Sequence, residues 1–105
     1  MSININSVLN NQEEFWSVNL EGELDVSTAD KLKEHLHGLA DKEILDMKIN
    51  LENLEYIDST GLGVMIGVLK KLKVGNKEIY IVNPRSNVRK IFNITGLDKI
   101  FKVEG

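Results

Sequence analysis

Cysteine is absent from the 105-residue chain, which excludes disulfides and thiolate metal ligands and leaves nothing in the composition that demands an oxidising compartment. Charge of one sign is not gathered anywhere. Thirteen Lys and Arg stand against sixteen Asp and Glu, a net charge of -3 without a long block of either. That balance argues against nucleic acid or an anionic membrane as the main partner. Long apolar runs are also missing, the longest, Leu62 to Leu69, being far short of a membrane span. The opening MSININSVLN has no basic segment followed by an apolar core, so no secretion signal is expected and the cytoplasm is the expected location. Repeats, linkers and low-complexity segments are lacking. What is present, 42% hydrophobic residues, suffices for one compact domain over 1–105 whose core needs no covalent staples.

Ile3, Ile5 and Val8 suggest a first strand and Phe15 to Leu20 a second, with Asn10-Asn11-Gln12-Glu13 as the hairpin turn between them. Beyond Gly22-Glu23-Leu24-Asp25, Ser27 or Thr28 is placed to cap a helix that carries Ala29, Leu32, Leu36 and Leu39 on one side. Met47, Ile49 and Leu51 alternate with polar residues and predict a third strand, followed by a loop from Asn53 to Asp58. A helix is predicted from Thr60 through Leu62, Met65, Ile66, Leu69 and Leu72 until Gly75-Asn76 stops it. Glu78 to Val82 reads as a strand. Pro84 reads as a first-turn residue of a further helix with Val88, Ile91 and Phe92 on its buried stripe, ended by Gly96. Ile100 to Val103 is a short strand or helix. The pattern predicts an α/β fold, with one mixed sheet that opens on an antiparallel hairpin and continues with parallel strands, covered by about three to four helices.

The segment Tyr56-Ile57-Asp58-Ser59-Thr60-Gly61-Leu62-Gly63 concentrates an acid, two hydroxyls and two glycines at a helix start. Ser59 or Thr60 suits the N-cap. Gly61, Gly63 and Gly67 each cost roughly 1 kcal/mol against alanine in a helix interior, a large share of a margin of about 5 to 15 kcal/mol. Gly63 and Gly67, four apart, are expected to form a smooth face toward the sheet, and Gly61 to leave backbone open so that a foreign surface can reach the serine.

Chemical alternatives fail on missing parts. A nucleophilic serine needs a base, and the two histidines, His35 and His37, fall on nearly opposite sides of their helix, where they read as solvated residues. Their spacing is not that of a helical metal pair, and no metal is expected. The Asp58-Ser59-Thr60-Gly61 run departs from the aspartic protease loop by one residue and has no second copy. The glycine spacing misses the dinucleotide fingerprint, and neither a P-loop nor the kinase motifs occur. A receiver-type role for Asp58 lacks the acidic pair that holds Mg²⁺. No catalysis and no cofactor are expected, and any phosphate on Ser59 comes from another protein.

Three blocks, Gly22-Glu23-Leu24-Asp25, Leu51-Glu52-Asn53-Leu54 with Tyr56 to Gly63, and Phe92-Asn93-Ile94-Thr95-Gly96-Leu97, together resemble a bacterial STAS domain over nearly the whole chain. The resemblance is greatest to the stand-alone anti-sigma factor antagonists of sigma-B-type stress responses or early sporulation. It implies a STAS fold and a partner switch in which the unphosphorylated protein binds an anti-sigma factor that is also a serine kinase and so frees the sigma factor. By the same resemblance Ser59 is the phosphorylated serine and Asp25 the acidic residue near it. Asp58, Ser59, Thr60, Gly61, Leu62 and Gly63 then belong with Asp25 to the partner-binding face, and a PP2C-type phosphatase restores the active form. The free protein is expected to be a monomer. A non-switching STAS interaction module is the second reading, and a nucleotide-binding or hydrolytic protein the third.

Overall fold

The structure is a computed structural model and describes residues 2–105. Two antiparallel strands, β1 (Ile3–Asn10) and β2 (Phe15–Leu24), open the fold. Then come α1 (Ala29–Lys42), β3 (Asp46–Ile57), α2 (Ser59–Lys73), β4 (Ile79–Val82), α3 (Ser86–Ile94), a single 3₁₀ turn (Leu97–Lys99) and β5 (Lys102–Glu104). The sheet order is β1-β2-β3-β4-β5, with every pairing after the first parallel. Each of the three β-α-β steps moves to the next position in the same direction, so right-handed crossovers put all three helices on one face of the sheet. Burial follows that geometry. Trp16, Val18 and Leu20 of β2, Met47, Ile49 and Leu51 of β3, and Ile79 and Ile81 of β4 are buried under the helices, whereas the alternate residues Ser17, Asn19, Lys48 and Asn50 are not. The predicted mixed sheet with its opening hairpin is therefore observed.

Several boundaries differ from the sequence reading. The hairpin turn lies one residue later, over 11–14, with Glu14 at a positive φ of 57° and the Asn10 side chain accepting the Glu13 N–H at 3.0 Å. Val8 pairs with Ser17 on the helix-free face and is 68% exposed, while Leu9 turns toward the core. The expected loop from Asn53 to Asp58 is strand as far as Ile57. Its alternation breaks because the β2/β3 ladder shifts register between Asn19 and Glu21 and again between Gly22 and Glu23, so Glu52 and Asn53 are both exposed before Leu54 returns inward. Gly22 belongs to this irregularity. Its φ is +113°, and a Cβ there would stand 2.4 Å from the Ser2 carbonyl oxygen.

Pro84 is not in the first turn of α3. Asn83, at φ 53°, turns the chain and donates its N–H to the Glu104 carbonyl at 2.9 Å, so Pro84 is used in that turn and the helix begins at Ser86. Arg85 and Asn87 tie α3 to β3 by donating to the carbonyls of Glu52 and Glu55, each at 2.9 Å. Val88 and Phe92 are fully buried and Ile91 partly so. Phe92 meets Phe101 edge to face, with ring centroids 5.5 Å apart, and this contact closes the far end of the core.

Candidate functional site

β2 and β3 run parallel, and their last paired residues are Leu24 and Ile57. The chain therefore leaves both strands at neighbouring points of the sheet's carboxyl edge, the usual place for functional loops in parallel sheets. One exit is the turn Asp25–Thr28, the other is Asp58 and the start of α2. The Asp58 N–H donates to the Leu24 carbonyl at 3.1 Å and locks the two exits together. Asp25 and Ser59, far apart in sequence, are thus brought to one place.

The cap of α2 is Asp58, not Ser59 or Thr60. Its carboxylate accepts the Gly61 N–H at 3.0 Å, and its carbonyl accepts the first helical bond from Leu62 at 3.0 Å. Asp58 can do this because the bond to Leu24 fixes its backbone as extended, the conformation an N-cap needs. Ser59 and Thr60 become the first two helical residues, and both are exposed. Their hydroxyls are left free of capping duty.

The other exit is held by a compact hydrogen-bonded turn. Asp25 is 8% exposed and Thr28 5%. The Asp25 carboxylate accepts the Ser27 N–H at 2.8 Å and the Ser27 hydroxyl at 2.6 Å. The Ser27 hydroxyl bond, which outweighs the opposing effect of desolvation, holds the Asp25 carboxyl below its ordinary value. Thr28 stands at the N-cap position of α1 without capping it. Its hydroxyl instead donates to the Glu23 carbonyl at 2.9 Å and accepts the Asp25 N–H at 3.0 Å. Sequence reasoning placed Ser27 or Thr28 as the cap of this helix and missed their role in supporting Asp25, since the target of a hydroxyl is not written in helical periodicity.

The glycines exchange the roles expected of them. Gly61 is buried, and a Cβ on it would meet Leu24 Cγ at 2.4 Å and Cδ2 at 2.8 Å. It is the position of close approach to the sheet. Gly63 and Gly67 are exposed, and a Cβ on either would have nothing within 4 Å. The phase of the helix carries this distinction, because Gly61 shares a stripe with Met65, Val68 and Leu72, whereas Gly63 and Gly67 share one with Lys70. Leu62 is buried too, at 6% exposure. Of the residues assigned to a partner face, Ser59, Thr60 and Gly63 lie on the surface and Asp58 is half-buried, while Asp25, Gly61 and Leu62 support them from beneath.

Thr60, Gly63 and Gly67 also form one wall of a groove of about 350 Å³ between α1 and α2, whose other wall is Ala29, Lys33 and His37. His35 points away to β1, where its Nε2 lies 2.8 Å from the Ser7 hydroxyl in a half-buried contact. Burial and, after it, Lys42 depress its pKa. Both histidines are half-buried where the sequence reading expects solvated residues, and neither hydrogen-bonds Ser59 or Thr60 among the described residues. No group of three side chains among those residues is arranged to hold a metal ion, and no helix there is long and apolar enough to cross a membrane. The arrangement suits a hydroxyl presented outward on a rigid base.

Residues 6–105 match the STAS domain family. The chain is 40% identical over 101 residues to an anti-sigma-B factor antagonist of Staphylococcus aureus (strain NCTC 8325 / PS 47), covering 96% of this chain and 94% of that protein. Among solved structures, the anti-sigma factor antagonist SpoIIAA in its unphosphorylated form superposes with a TM-score of 0.82 at 23% identity, over 95% of this chain and 87% of that one. The phosphorylated form of the Bacillus cell fate determinant SpoIIAA gives 0.72 at 22% identity, over 95% and 90%. At those identities the two structures establish likeness of fold.

Proposed function

The chain belongs to the STAS domain family, and from that premise we propose that it is an anti-sigma factor antagonist switched by phosphorylation of Ser59. In this reading the unmodified chain binds, in the cytoplasm, an anti-sigma factor that is also a serine kinase, and the sigma factor is released. The likeness to the staphylococcal antagonist supports a sigma-B type of pathway over a sporulation type. The chain performs no catalysis of its own.

The observation that carries the proposal is the exposed Ser59 hydroxyl at the first helical position of α2, beside a cap already supplied by Asp58. A kinase can approach it without unfolding anything. The Ser59 oxygen attacks the γ-phosphorus of ATP held by the kinase, the bond to the ADP leaving group breaks, and the hydroxyl proton passes to a base of the kinase. A PP2C-type phosphatase then hydrolyses the phosphoester with water and returns the free hydroxyl. Phosphate adds about -1.5 to -2 charge, which the amino end of a helix accommodates through its free N–H groups and dipole. A fold like this one in phosphorylated SpoIIAA supports the same tolerance here.

Binding responds differently, because the added group must be pressed into a partner surface beside Asp58. Like-charge juxtaposition at an interface costs several kcal/mol, and about 1.4 kcal/mol is tenfold in affinity, so release by more than a hundredfold is expected. The test measures affinity for the cognate kinase by calorimetry, using the parent, the phosphorylated chain and Ser59→Asp, with phosphate incorporation followed by mass spectrometry. Tight binding by the parent alone, and no phosphate on Ser59→Ala, are expected. Equal affinity of the phosphorylated chain, or undiminished phosphorylation of Ser59→Ala, would overturn the proposal.

A further inference from the structure

Asp58 is a resident anion at the end of α2 that the phosphate would also occupy. Its carboxylate holds the Gly61 N–H at 3.0 Å. The amides of Ser59 and Thr60 are the orphan donors of the first turn, and neither finds an acceptor among the described residues. Gly61 itself is pinned, since its Cα side rests on the fully buried Leu24. The donor therefore stays in place and only the acceptor can change.

A phosphate on Ser59 is one residue from that carboxylate, and the two anions then contend for the N–H groups of a single turn. Phosphate brings the larger charge and three acceptor oxygens. Asp58 is half exposed, so its carboxylate has a route to water. We propose that phosphorylation exchanges the cap: the Ser59 phosphate takes over the amino end of α2, Gly61 N–H included, and the Asp58 carboxylate is released to solvent. The inference rests on Ser59 being the acceptor. It makes Asp58 a positioning residue with two states. Folded back onto Gly61, it leaves a neutral hydroxyl foremost on the binding surface; released, it adds its own charge to that of the phosphate facing the partner.

Phosphoserine introduced co-translationally at position 59 of the full chain tests the exchange without any kinase. Failure of a kinase to modify Ser59 would then count against the function proposed above and leave this measurement intact. Asp58→Ala is expected to raise the unfolding constant about fivefold in the unmodified chain, the usual effect of losing a cap, and less than about twofold in the phosphorylated one. In the same variant the Gly61 amide proton, moved upfield by loss of the carboxylate, is expected to return downfield on phosphorylation and to move up again as the phosphate is protonated below about pH 6. Asp58→Asn keeps a capping oxygen without the charge and remains folded, and its Gly61 amide is expected to move downfield on phosphorylation as well. An equal cost of Asp58→Ala in both states, or a Gly61 amide that ignores the phosphate in either variant, would overturn the exchange.

Discussion

Replacing Gly61 and Gly63 by alanine, two positions apart on one helix, is expected to change stability in opposite directions. At Gly63 the added methyl meets nothing within 4 Å. The gain is that of glycine to alanine in an exposed helix, about 0.5 to 1 kcal/mol, part of it from the restricted unfolded chain. At Gly61 the methyl would stand 2.4 Å from Leu24 Cγ and 3.3 Å from the Leu24 carbonyl oxygen. Leu24 is fully buried and its Cγ is a branch point, so relief requires α2 to move off β2 or Leu24 to leave its rotamer. Overpacking of this kind costs about 1 to 3 kcal/mol. The propensity gain in a first turn offsets under about 1 kcal/mol of it, which from the middle of that range, about 2 kcal/mol, leaves a net loss of about 1 to 2 kcal/mol. Shifting α2 would also stretch the Asp58 to Leu24 bond, so Gly61→Ala is expected to weaken phosphorylation of Ser59 as well. Urea unfolding followed by circular dichroism measures both changes as shifts in midpoint at constant slope. Gly61→Ala as stable as the parent, or Gly63→Ala less stable, would refute this assignment of the two glycines.

Thr28→Val is expected to lower stability by about 1 to 3 kcal/mol, because it leaves the buried Asp25 N–H and the Glu23 carbonyl without their shared partner; the urea midpoint reads the loss. Acidification should act through His35, whose folded pKa lies below its ordinary 6.5. That contribution is complete above the unfolded value and is lost as pH falls through the depressed folded value, so Tm is expected to drop below about pH 6.5, and His35→Gln should flatten that slope. Asp25 follows the same sign at lower pH, its contribution being complete above 3.8 and lost as pH falls through the lowered folded value. NMR titration of the Asp25 carboxyl is expected to show Ser27→Ala moving it back upward. Because Gly67 continues the exposed stripe of Gly63 along the groove between α1 and α2, Gly67→Leu is expected to leave folding intact but weaken binding of the proposed partner kinase by about tenfold, as read by calorimetry; unchanged affinity would place that groove outside the binding face.

Much of the fold is legible because the strands and helices on one side of a sheet carry simple periods. Met47, Ile49 and Leu51 alternate, and Leu32, Leu36 and Leu39 recur with helical spacing, so type and order of the elements follow directly. The stretch that reads as loop but forms strand, Asn53 to Ile57, is where the ladder to β2 shifts register, and a bulge erases the period that a local reading depends on. Pro84 differs from its expected place for a related reason, since the turn at Asn83 is set by its bond to Glu104, a contact invisible to neighbouring residues in the sequence. The site is partly legible. An acid, two hydroxyls and glycines at a helix start mark the place, and the histidine positions argue against a nucleophile. Which residue caps and which glycine packs do not follow from the local pattern, although the phase shared by Gly63, Gly67 and Lys70 offers a signal for the second.

The sheet with its opening hairpin, the helix start that carries Ser59, and the family to which the three blocks point all follow from the order of residues, because they depend on local periods and contiguous residue types. How those residues divide their labour follows from the folded chain. The Asp58 N–H reaches Leu24 only because β2 and β3 end side by side. That bond turns Asp58 into the cap, frees Ser59 to face outward and presses Gly61 onto Leu24. Hydrogen-bond direction and side-chain contact across about thirty residues of chain depend on strand pairing, and the local pattern carries only the helix phase that sets Gly61 apart from Gly63 and Gly67.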